Sequence, residues 1–110
     1  MEKTIHIDGK AVPLKASAST LRRYRAVFNR DLLDDFNTLR NAINNNAVNG
    51  DALEILQNLT YVMAKQAKPT IPDIETWLDS FEVFDVENFG IDVGNLFADT
   101  LTTRSEAKNA

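Results

Sequence analysis

Few groups in this chain of 110 residues could carry chemistry: one histidine, His6, no cysteine, the adjacent acids Asp34 and Asp35, and the arginines of Arg22-Arg23-Tyr24-Arg25. Without cysteine there is no disulfide framework, no thiol nucleophile and no thiolate zinc site. A lone imidazole cannot build a multi-histidine metal centre. As a general base it would need a nucleophile or an orienting carboxylate, and no spacing of the serines or of Asp8 singles one out. Asp34 and Asp35 could serve as paired carboxylates in glycoside or metal chemistry. Adjacent positions on a helix point about 100 degrees apart, so the two do not converge and are expected on a solvated face. These residues predict a protein that is not an enzyme and carries no cofactor or metal.

The arginine cluster is the one local concentration of a chemistry. Three guanidinium groups beside an aromatic ring could grip nucleic-acid phosphates and stack on a base. The chain is acidic overall, with a net charge of -4, whereas nucleic-acid modules carry a dominant basic face. Tyr24 also falls on an apolar stripe, which assigns it to the core, and an arginine cluster suits an acidic protein partner equally well. Gly90 and Gly94, four apart, read as a close contact or a break in a helix. Asn58-Leu59-Thr60 matches a glycosylation acceptor but lies in a helical segment of a chain whose N-terminus shows no export signal.

The elements that position these groups follow from periodicity. Ile5 and Ile7, then Val12 and Leu14, alternate around Asp8-Gly9, a two-residue loop of the type I′ kind. Pairing Ile7 with Lys10 places all four apolar side chains on one face, turns His6 to the other, and leaves Pro13 marking an edge. From Ser17 the period becomes helical. Ser19 or Thr20 caps a first helix with Leu21, Tyr24, Val27 and Phe28 on its stripe; Asp31 caps a second with Leu32, Leu33, Phe36, Leu39 and Ile43. The join between them reads as a kink rather than a loop. Asn44 to Gly50 is a loop, and Asp51 to about Ala67 a third helix ended by Lys68-Pro69. A short helix near Pro72 presents Ile74, Trp77, Leu78 and Phe81, and a last one runs from about Val86 to Leu101 with Phe89, Val93, Leu96, Phe97 and Leu101 on its stripe. The predicted fold is α+β, mostly α: an N-terminal β-hairpin followed by four or five short amphipathic helices packed as a small bundle. One domain is expected over residues 1–101, with a loose polar tail over 102–110.

Composition agrees with one globular core, at 44% hydrophobic and 25% charged. No apolar run approaches the ~20 residues of a membrane span, and a cytoplasmic location is expected. Charge is unevenly divided. Residues 1–50 hold eight basic and five acidic groups, or +3; residues 51–110 hold four basic and eleven acidic, or -7. Such a split reads either as head-to-tail self-association or an acidic partner, or as two halves that pack together and offset one another.

Three stretches carry a resemblance. Ile5-x-Ile7-Asp8-Gly9-Lys10-x-Val12, then Thr20-Leu21-Arg22-Arg23-Tyr24-Arg25-x-x-Phe28-x-Arg30-Asp31-Leu32, then Trp77-Leu78-Asp79-Ser80-Phe81 together resemble the tail assembly chaperones of long-tailed phages and prophages of Gram-positive bacteria. The likeness spans Lys3 to about Phe81. It implies a non-enzymatic cytoplasmic protein, absent from the mature virion, that coats the long helical tape measure protein while tail tube subunits polymerise around it. A longer frameshifted form that recruits the major tail tube protein is common in such families, and this chain would be the short form. Separately, a hairpin with an exposed edge and the +3/-7 charge split predict a homo-oligomer. The residues assigned to partner contact are Arg22, Arg23 and Arg25, with Phe84, Phe89 and Phe97 near the acidic C-terminal helix. The alternative reading is a small phage-encoded nucleic-acid-binding regulator that uses the Arg22 to Arg25 helix.

Overall fold

A computed structural model describes residues 1–101; the tail expected over 102–110 lies outside the described residues. Two strands, β1 (Glu2–Ile7) and β2 (Lys10–Lys15), form an antiparallel hairpin with Ile7 opposite Lys10, Ile5 opposite Val12 and Lys3 opposite Leu14. The predicted register is the observed one. Asp8 (φ 53°) and Gly9 (φ 74°) are both left-handed, as a type I′ loop requires. At the open end Met1 and Ala16 exchange backbone hydrogen bonds at 2.9 and 2.8 Å, so the ladder runs one pair beyond the strands.

Five helices follow: α1 (Thr20–Phe28), α2 (Leu32–Asn44), α3 (Gly50–Ala67), α4 (Ile74–Asp79) and α5 (Val86–Asp99). The fold is therefore α+β and mostly α. Asn29, left-handed at φ 54°, ends α1, and the Asp31 carboxylate accepts from the Leu33 and Asp34 N–H groups to start α2, so the join is a true break and not the expected kink. Asn49, in the asparagine-rich loop, caps α3 through a 2.9 Å bond from the Ala52 N–H. Ser19 stands at the N-cap of α1 without a side-chain cap bond. The hydroxyls at this end are used across the fold: Thr20 donates to Gln66 Oε1 (2.9 Å), and Gln66 Nε2 donates to Ser17 Oγ (2.8 Å), tying the start of α1 to α3.

α3 is the central element. Its residues from Asn58 to Ala64 are all buried, because α1, α2, α5 and β2 surround it. The inner face of the hairpin rests on α3 through β2 and on α5 through β1. Tyr61 donates to the Pro72 carbonyl (2.7 Å) and meets the Trp77 ring at 5.5 Å, which fixes α4 on the end of α3. Three stripe positions face solvent instead of the core: Val27 (53% exposed) and Leu33, each at the margin of its helix's apolar arc, and Leu101, which lies beyond the end of α5.

Candidate partner-binding site

The structure separates the six residues assigned to partner contact. Arg22, Arg23 and Arg25 all lie exposed on α1, with no carboxylate within ion-pair distance among the described residues. Arg23 Nε donates to Ser19 Oγ at 3.0 Å, within its own helix. Tyr24 between them is fully buried. Phe84 is half-buried and stacks edge-on against Phe89 at 4.9 Å. Phe89 (2% exposed) and Phe97 (1%) are core residues, so their assignment to a partner surface is corrected. Period 3.6 places both on the face of α5 that packs on β1 and α3, and a buried ring has no free area to offer.

A network beneath α1 holds the arginine helix in place. The Tyr24 hydroxyl donates to Asp35 Oδ2 at 2.8 Å, while Arg30 Nε and Nη2 donate to Asp35 Oδ2 and Oδ1, both at 2.7 Å. Asp35 is buried, which corrects the expectation that both adjacent acids face solvent; only Asp34 does. The forked guanidinium holds the Asp35 carboxyl below the usual carboxylate range, the Tyr24 hydroxyl adding to its effect against the opposing cost of burial. Burial, followed by the bond to Asp35, pushes the Tyr24 hydroxyl well above the ordinary phenol value. Beside this network a polar cleft of about 310 Å³ is lined by Arg30, Asp35, Thr38, Asp51, Glu54 and Asn58.

A second surface was missed by sequence reasoning. α2 and α5 both lean on α3 and meet each other through the Phe36–Phe97 ring pair, whose centroids lie 4.9 Å apart at 79°. Above that pair a groove opens between the two helices. One stretch, about 300 Å³, is lined by Phe36, Leu39, Ile43, Gly90, Ile91 and Gly94. It continues into a second of about 380 Å³ reaching Val48 and Val86. Ile91 stands 65% exposed on its wall. The two glycines set the depth: a Cβ on Gly94 would sit 3.9 Å from the Phe36 ring, and one on Gly90 3.4 Å from Leu56. Arg40, over the Phe36 ring at 5.6 Å, and Glu87 give the rims opposite charges. Phe97 thus belongs to the support of this groove and not to its surface. The signal in the sequence was a second stripe on α5, with Gly90, Ile91, Gly94 and Ala98 at helical spacing beside the core stripe.

Charge is only weakly offset across the halves. Lys3–Asp92 at 3.4 Å is the one ion pair among the described residues that joins residues 1–50 to the rest, and both partners are about half exposed. No described helix is long and apolar enough to cross a membrane. Comparison with protein-family models, with curated proteins and with solved structures finds no match for this chain.

Proposed function

We propose that this protein is a tail assembly chaperone that binds the tape measure protein of a long-tailed phage in the host cytoplasm and keeps it soluble. The observation that carries the reading is the groove between α2 and α5, an apolar trough with an aromatic floor and charged rims. An amphipathic helix seats its apolar face in such a trough through anchors at i, i+3, i+4 and i+7. A tape measure protein offers such helices in long series. The three segments that resemble tail assembly chaperones support the same reading and add the tail tube protein, through a longer frameshifted form, as a second partner. The role requires no reaction and no cofactor, and the exposed arginines of α1 supply a charged surface for acidic segments of the client.

The nucleic-acid alternative loses one of its two supports. Base stacking needs an open ring, and Tyr24 is buried against Asp35 and Phe28.

The test is co-expression with the tape measure protein of its own gene cluster. Wild-type protein is expected to raise the soluble fraction of that chain severalfold, and Ile91→Asp to cancel the gain without unfolding, since Ile91 is exposed. An unchanged soluble fraction with wild-type protein overturns the proposal.

A further inference from the structure

The hairpin has two edges, and they are not equivalent. Because Met1 and Ala16 exchange both backbone bonds, the alternation of an antiparallel ladder makes Lys3, Ile5 and Ile7 the residues of β1 that bond to β2. The N–H and C=O groups of Glu2, Thr4 and His6 point away from the hairpin, and none has a partner among the described residues. On β2 the corresponding outward positions are Ala11, Pro13 and Lys15, opposite His6, Thr4 and Glu2. Pro13 has no N–H to give, so the β2 edge is closed to strand addition at its centre. The β1 edge carries no such block. α5 reaches β1 from the core face, through Lys3 and Asp92, and leaves the opposite face of the strand to solvent.

The open edge is also self-complementary. Laid antiparallel against a second copy about Thr4, β1 sets Thr4 opposite Thr4 and Glu2 of each copy opposite His6 of the other. Each of these pairs is of the kind that exchanges both backbone bonds, and all three side chains stand on the exposed face. Glu2 and His6 are both exposed, and their side chains make no ion pair or hydrogen bond among the described residues. An acidic and a basic side chain directly opposite stabilise a strand pair. A one-residue slip would turn the apolar set outward and is not available.

We infer that β1 is a homodimer interface, in which two copies join edge to edge about a two-fold axis through Thr4 and merge their hairpins into one continuous sheet. The contact is isologous and closes on itself, because the outer edges of the merged sheet are the two β2 strands with their Pro13 blocks. This inference stands apart from the client groove, which lies on α2 and α5, so either can fail without the other.

Sedimentation across a concentration series tests it, with circular dichroism to confirm that each variant is folded. Wild type is expected to pass from monomer to dimer with rising concentration. Thr4→Pro removes the outward N–H on the axis while sparing the ladder to β2, and is expected to abolish the dimer. His6→Glu sets like charges opposite at both ends and is expected to weaken association about tenfold or more. The exchange Glu2→His with His6→Glu restores the carboxylate–imidazole pair in the same register and is expected to recover wild-type association to within about twofold. These two exposed-residue variants carry the test should Thr4→Pro unfold. A wild type that stays monomeric at all concentrations, a dimer indifferent to His6→Glu, or an exchange variant as weak as His6→Glu would each overturn the inference.

Discussion

Asp35 shows how one side chain can connect three elements. It sits on α2, accepts from Tyr24 on α1 and from Arg30 in the break between them, and faces Asn58 of α3 across the polar cleft. Asp35→Ala leaves a buried phenol and a guanidinium without their acceptor. A loss of about 2–4 kcal/mol in urea unfolding is expected, against about 1 for Tyr24→Phe, which removes one bond and keeps the ion pair. The pH dependence has a definite sign. Arg30 and Tyr24 hold the folded-state carboxyl below its ordinary value, so the stability it contributes is complete above about pH 5. That contribution is lost as pH falls through the depressed folded value. A Tyr24→Phe/Asp35→Asn double variant should flatten this part of the stability profile. Tyr24 works in the opposite direction: its raised value favours the neutral phenol, and stability falls as pH rises past about 10. None of this was legible from residue types. Asp34-Asp35 reads as two solvated acids, and only the left-handed turn at Asn29 brings Arg30 back over the second of them.

At the scale of elements, legibility followed locality. The hairpin was readable to the residue, because alternation and Asp8-Gly9 determine register without help from the rest of the chain. The helices were readable because caps and breakers lie next to what they end. Which aromatic in and just before α5 is core and which is half-open was not, since Phe84, Phe89 and Phe97 differ only in what packs against them. The groove was illegible for the same reason: its walls belong to helices that meet only because each packs on α3. Gly94 makes the point testable. Gly94→Ala places a methyl at ordinary contact distance from Phe36 and removes a helix-weakening residue from α5. It is expected to stabilise the protein by about 0.5–1 kcal/mol, raising Tm by several degrees in calorimetry. Gly94→Leu fills the trough, and client capture is expected to drop while the helix content by circular dichroism stays unchanged.

Across the whole molecule, the hairpin loop is clasped to a segment more than 70 residues ahead of it in the chain. The Asp8 N–H donates to Asp85 Oδ1 at 3.0 Å, and Asp8 Oδ2 accepts from the Glu82 N–H at 3.0 Å. Lys10 reaches from the start of β2 to the Ser80 carbonyl. The hairpin loop is thereby fixed to the connection between α4 and α5. Asp8→Asn keeps an acceptor oxygen and is expected to cost well under 1 kcal/mol. Asp8→Ala loses the acceptor and places a residue with no local hydrogen bond at positive φ, for about 1–2 kcal/mol in the same urea experiment. Trp77, the single tryptophan, packs on Phe81 at 5.2 Å close to this clasp, so its fluorescence can follow the loss of the contact.

The clasp also bears on how the chain is made. The hairpin leaves the ribosome before α5, on which the inner side of β1 rests, and Asp85 follows Asp8 by 77 residues. At about 5–20 residues per second the nascent chain carries Ile5 and Ile7 only partly covered for roughly 4–15 s. Until α5 emerges, α3, packed on β2, is the cover that the inner face of the hairpin has.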